Sequence, residues 1–208
     1  MKCKLCMILL SFILLLTGCG SDALQIPNEN FTYDRAVSDE ETARRDSFVA
    51  AAVAKLGVNE QDGTHKAIID AYNAHKPLAQ GYAVGYDDEW CATFVSTISI
   101  ECGITDIIPT ECSCERQIKL FDELGCWIED DAYVPLPGDV IYYRIGNKDD
   151  GDCTKWANHV GIVIGTCEGK IRVIEGNNAD KVSYRTLPID DPIIRGFAVP
   201  NFAPNIEE

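Results

Sequence analysis

The hydrophobic period of this chain changes once, at Pro137, and that change constrains the fold more than any single motif. Before it, apolar residues recur three and four apart; after it, they come in short runs rich in β-branched and aromatic residues, divided by Gly, Asn, Asp or Pro. Ser38 or Asp39 is placed to cap a first helix with an acidic first turn (Asp39, Glu40, Glu41) and an apolar face of Phe48, Ala51, Ala52 and Leu56, stopped by Gly57. A second helix is expected over 64–77, a third from about Asp88 to Glu101, and a fourth over about 113–124 ahead of Gly125. The runs "DVIYYR", "HVGIVIGTC", "KIRVIEGN", "VSYRTL" and "IRGFAVP" read as strands. Helices first and strands afterwards predict an α+β domain with an antiparallel sheet of about five to six strands.

The start of the chain speaks to location. "MKCKLCMILLSFILLLTGCG" has two lysines, an apolar run from Met7 to Leu16, then small residues. That is the pattern of a secretory signal, and the run falls short of the roughly 20 residues a membrane span needs. Leu16-Thr17-Gly18-Cys19 resembles the lipobox of bacterial lipoproteins, which implies that residues 1–18 are removed and that Cys19 is lipidated. The expected product is exported and held by lipid on the outer face of the bacterial cell membrane. Residues 19–37, polar and aperiodic, read as a tether, 38–204 as one domain, and 205–208 as an acidic tail.

With the signal gone, 16 basic residues face 33 acidic ones, a balance of −17. Such a surface repels nucleic acid and anionic polymers, so DNA and RNA are excluded as expected partners and lipid is the expected source of localisation. Seven cysteines remain besides Cys19: Cys91, Cys102, Cys112, Cys114, Cys126, Cys153 and Cys167. In an oxidising compartment up to three disulfides are expected among the six other than Cys91; without oxygen, the same six serve as small buried hydrophobes. Cys112-Ser113-Cys114 has one residue between its thiols and no nearby histidine, which argues against zinc.

One cysteine is set apart by position. In "DDEWCATFVS", residues 87–96, Asp88 as N-cap would put Cys91 in the first turn of the third helix. The positive end of the helix dipole lowers a thiol's pKa there, whereas Asp87, Asp88 and Glu89 push it up unless they cap or face water. A thiolate nucleophile needs a base, usually histidine, oriented by a third group. His65 and His75 lie on the polar second helix, where a solvated histidine is the ordinary reading; His159 opens "HVGIVIG", and Glu175 and Asn177 sit in the following "VIEGNN". A three-residue Cys167-Glu168-Gly169 hairpin loop pairs Thr166 with Lys170, sets His159 opposite Asn177 and puts Glu175 on the same side, one diagonal away. A two-residue Glu168-Gly169 turn would shift the register and send these groups to opposite faces.

Together, "EWCATFVS", "LPGDVIYY", "NHVGIVIG" and "VIEGNN", in that order, resemble the CHAP domain, the cysteine, histidine-dependent amidohydrolase/peptidase domain of bacterial cell-wall hydrolases. Its wider relatives are the NlpC-type peptidases, which share a papain-like core. The resemblance covers about residues 40–202, with "IRGFAVPNF" similar to the family's closing strand. It implies Cys91 as nucleophile, His159 as base, Glu175 as the residue orienting the histidine, and Asn177 as the polar group completing the site. It also implies a peptidoglycan substrate, cut at the N-acetylmuramoyl-L-alanine amide or within the stem peptide or cross-bridge. Two stretches depart from the family: the acidic 146–152 "GNKDDGD", and "GYAVGYDDEW", which does not clearly match the calcium-binding aspartates of some members.

General chemistry supplies the mechanism expected. His159 takes the thiol proton, the thiolate attacks the amide carbonyl, and the resulting thioester is hydrolysed. The Cys91 backbone N–H holds the oxyanion with a second donor, for which Tyr86 is the candidate. No cofactor or metal is expected; calcium at the acids of "NKDDGD" is the weaker reading beside a solvated turn. The chain is expected to act as a monomer. The alternatives are a papain-like cysteine protease acting on proteins and a catalytically silent lipoprotein that binds wall fragments.

Overall fold

The computed structural model describes residues 36–146 and 156–203 of the 208-residue chain. The signal, Cys19, nearly all of the tether, Cys153, the acids of 147–152 and the acidic tail lie outside the described residues.

Among the described residues four α-helices precede a six-stranded sheet, and the domain is α+β. The helices are α1 (Asp39–Val53), α2 (Lys66–Ala74), α3 (Cys91–Cys102) and α4 (Cys114–Glu123), with a 3-10 turn at Ala79–Gly81. The strands are β1 (Trp127–Ile128), β2 (Val140–Tyr143), β3 (His159–Cys167), β4 (Lys170–Glu175), β5 (Ser183–Pro188) and β6 (Ile194–Ala198). They lie in the order β1-β6-β2-β3-β4-β5, every neighbouring pair antiparallel. No described helix is long and apolar enough to cross a membrane.

The caps explain where two helices begin. The Ser38 hydroxyl accepts from the Glu41 N–H at 3.1 Å, so Ser38, not Asp39, caps α1. Asp88 does not cap α3: its carboxylate accepts from the Gly85 N–H at 2.7 Å and the Tyr82 hydroxyl at 2.6 Å, closing the preceding turn. The helix therefore starts at Cys91, three residues later than the expected start, with Trp90 in the cap position and no side-chain cap bond.

Helix α3 is buried on every side from Cys91 to Ser99, packed between α1 and α2 on one flank and β3 on the other. Its close approach requires Gly176, where a Cβ would meet the Phe94 Cβ at 2.4 Å and the Trp90 ring at 2.9 Å. Helix α4 is fixed to α3 and β2 by a buried chain: the Tyr142 hydroxyl donates to Gln117 (2.8 Å), whose amide donates to the Ser96 hydroxyl (3.3 Å) and the Pro109 carbonyl (3.0 Å). The opposite sheet face carries its own apolar layer of Ile141, Tyr143, Val163, Val173 and Phe197 under Tyr133 and Ile193.

The β3–β4 hairpin differs from its expected form twice, and the two differences cancel. Glu168 (φ 51°) and Gly169 (φ 71°) form a two-residue turn with both residues left-handed, the geometry that suits strand twist, so Cys167 and not Thr166 pairs with Lys170. A bulge at Ile164 then adds one residue to β3, and from Val163↔Val173 inward the pairing regains the expected sum. His159 and Glu175 consequently share a face.

A buried ion cluster joins α1 to the start of the sheet. Arg45, fully buried, donates to Glu41 (2.8 Å), Asp139 (2.9 Å) and the Pro137 carbonyl (2.9 Å) and lies over the Phe202 ring at 4.7 Å. The second oxygen of Asp139 accepts from the Leu136 N–H and the Tyr133 hydroxyl. Removing one partner of such a pair leaves a buried charge uncompensated. Arg45→Met should therefore lower unfolding free energy by about 3–5 kcal/mol, read from the urea midpoint; a change under about 1 kcal/mol would show the cluster to be peripheral.

Candidate active site

Glu175, at the end of β4 and fully buried, is met by side chains from three other strands. His159 Nε2, from the first residue of β3, meets it at 3.1 Å; the Arg185 guanidinium of β5 donates at 2.6 Å; and the Tyr143 hydroxyl of β2 donates as well. These bonds hold the carboxyl below its ordinary range against the opposing effect of burial. Because Nε2 is held by Glu175, Nδ1 is the ring nitrogen left for Cys91, whose sulfur is close enough to influence the imidazole.

Cys91 is the first residue of α3 and is 5% exposed. Its Sγ lies 3.8 Å from Cys114 Sγ, and Cys114 is the first residue of α4, 8% exposed. Two helix N-termini thus converge on one pair of sulfurs, where their dipoles favour negative charge. The Cys91 thiol is held well below its ordinary pKa, first by the hydrogen bond from Cys114, then, against burial, by His159 and the Ala92 N–H. Cys114 is pushed in the opposite direction, by the same bond and by burial, and stays a thiol. Burial depresses His159, yet its bonds to Cys91 and Glu175 outweigh that and raise it to about 9. These directions favour a Cys91 thiolate beside a His159 imidazolium, with the shared proton kept on Cys114.

The three acids before Cys91 are directed elsewhere. Asp88 closes its turn, Asp87 is exposed, and Glu89 accepts from the Asn177 amide at 2.5 Å. That last bond corrects the placement of Asn177: β4 ends at Glu175, and Asn177 sits in the following turn at φ 56° with its amide turned to Glu89. Tyr86 is likewise committed away from the sulfur, its hydroxyl donating to Asp70 on α2 at 2.7 Å. His65 is not solvated as its helix suggested; it is 3% exposed, packed on Tyr86 and Trp90, with Nε2 on the Tyr86 carbonyl at 3.0 Å. Beside the site, Asn59, Glu60, Gln61, Ala179, Asp180 and Lys181 line an open groove of about 550 Å³, whose Glu60 accepts from the Trp90 indole at 2.8 Å.

No disulfide joins any of the six described cysteines, so the expected cross-links are absent among them. Among the described residues, no cluster of three or more His, Cys, Asp or Glu is placed to hold a metal. Cys114, Arg185 and Tyr143 are the site residues that sequence reasoning passed over. Cys114 had a signal: it follows Ser113 at a helix start, as Cys91 follows Trp90.

Alkylation of Cys91 by iodoacetamide, followed by mass spectrometry of its peptide, should proceed well below pH 9 in the wild type. His159→Ala and Cys114→Ala should each move its onset up by at least about one pH unit, because each removes a group that favours the thiolate. An unchanged onset in His159→Ala would separate the thiol from the imidazole.

No family model matches this chain, and no curated protein or solved structure matches it.

Proposed function

We propose that this protein is a lipid-anchored peptidoglycan hydrolase that cleaves an amide bond through a Cys91 nucleophile. One observation carries the reading: a buried cysteine at a helix start, electrostatically paired with a histidine whose Nε2 is fixed by a buried carboxylate. The motif resemblance supplies the substrate class, N-acetylmuramoyl-L-alanine amides or stem-peptide and cross-bridge bonds. The lipobox-like segment supplies the anchor on Cys19.

In this reading the thiolate attacks the amide carbonyl, the carbon–nitrogen bond breaks, and the imidazolium gives its proton to the departing amine. Water, deprotonated by the now neutral His159, attacks the thioester and releases the carboxylic acid and the thiolate. Glu175 holds the ring and favours its charged form; Arg185 and Tyr143 hold Glu175 and touch no reacting atom. The Cys91 N–H faces the oxyanion. The groove by Glu60, Asp180 and Lys181 offers the peptide charged and polar partners, with Glu60 and Asp180 suited to a free amine.

The pH dependence follows from the ion pair. Lowering pH protonates the thiolate, and raising pH through about 9 removes the proton that the leaving amine needs. The rate of peptidoglycan digestion should be bell-shaped, with an alkaline limb near 9 and an acid limb well below the ordinary thiol value.

Digestion of purified peptidoglycan, with new termini identified by mass spectrometry, tests the assignment. Cys91→Ala should lose at least about 10³-fold in rate and His159→Ala about 10²–10⁴-fold. New termini that persist with Cys91→Ala would remove Cys91 as nucleophile, and casein cleaved as fast as wall would favour a protein protease. Cys19→Ala should leave the membrane fraction, and its retention there would exclude the lipid anchor.

A further inference from the structure

We infer that Cys91 and Cys114 form a peroxide-driven, reversible disulfide that caps the nucleophile. The pair is built for it. The sulfurs are 3.8 Å apart, so closing to the roughly 2 Å of a disulfide asks the two together to approach by about 1.8 Å. Both residues are held from several sides: Cys91 heads the buried α3, while Gln117 and Glu115 of α4 bond to Ser96 and to the Ala157 N–H that precedes His159.

The chemistry is ordered by the unequal thiols. The Cys91 thiolate attacks one oxygen of hydrogen peroxide; the O–O bond breaks, hydroxide leaves, and Cys91 becomes a sulfenic acid, oxidised by two electrons. The negative charge that had held the proton on Cys114 is now gone, and Cys114 is left at the positive end of α4. Its sulfur attacks the Cys91 sulfur, the S–S bond forms, the S–O bond breaks, and the departing hydroxide takes the thiol proton away as water. A reductant reverses the link readily, because the reduced state is the one stabilised by His159 and the converging helix ends. The peroxide is the only co-reactant. Bond formation does not depend on the proposed hydrolase activity; only the consequence, a silenced enzyme protected from irreversible over-oxidation, rests on that reading.

The test treats the reduced, purified protein with one equivalent of hydrogen peroxide, blocks free thiols and cleaves at glutamate without reduction. Cleavage after Glu89, Glu101, Glu111 and Glu115 separates residues 90–101, which carry Cys91, from residues 112–115, which carry Cys112 and Cys114. The expected product is these two peptides joined, lighter by two hydrogens, in the wild type and in Cys112→Ser. It should be absent in Cys114→Ser, where dimedone labels Cys91 and further peroxide takes it to the sulfinic acid. Wall digestion should fall at least about tenfold on oxidation and return with dithiothreitol in the wild type, but not return in over-oxidised Cys114→Ser. Over-oxidation of Cys91 as fast in the wild type as in Cys114→Ser, with no joined peptide, would overturn the inference, as would a link that vanishes in Cys112→Ser. A joined peptide in a protein that digests no wall would sink the hydrolase reading and leave the thiol pair standing.

Discussion

The arrangement of this molecule depends on one buried carboxylate. Glu175 has no contact with water, and a charge so placed is tolerated only when its partners replace the hydration it has lost. The partners come from β2, β3 and β5, so the same bonds that neutralise Glu175 draw four strands together at one end of the sheet. His159 is held there as one of those partners. Its orientation is a by-product of satisfying the charge, and it leaves one ring nitrogen for chemistry.

A second constraint brings the sulfur to that nitrogen. Helix α3 is buried along most of its length and can lie this close to β4 only because Gly176 has no side chain. The network of Tyr142, Gln117 and Ser96 then sets α4 against α3, so two helix starts meet instead of one. The site's electrostatics therefore come first from the second thiol and the imidazole, with the backbone of the two helix starts beside them. One anion is shared by two thiols, with an imidazolium on one side and helix ends on both.

Much of this was legible because periodicity reports burial, and burial fixes which elements form. The four helices and five of the strands follow from it; β1, two residues long, is too short to leave a period. Cys91 stood out by its helix position, and the same argument applied to Cys114 was hidden by reading Cys112 and Cys114 for metal-ligand spacing. Asn177 was misplaced because strand pairing was carried past Glu175, where the chain already turns with a left-handed residue. Asp88 was read as a helix cap because a carboxylate before a helix usually is one; here two nearer donors claim it. The contact Arg45–Asp139 joins segments 94 residues apart, and no local pattern announces it; Arg185–Glu175 crosses between the adjacent strands β4 and β5.

The extra residue at Ile164 has a consequence for how this hairpin can vary. It divides the ribbon into two rulers: positions near Glu168 and Gly169 are counted from the turn, and positions near His159 are counted from Glu175. The outer ruler can be recut, with a longer loop or a different turn, and the inner one keeps its alignment wherever the bulge takes up the difference. Deleting the bulge alone would join the two scales, and the histidine would be turned to the wrong side of the sheet without a single catalytic residue having been touched.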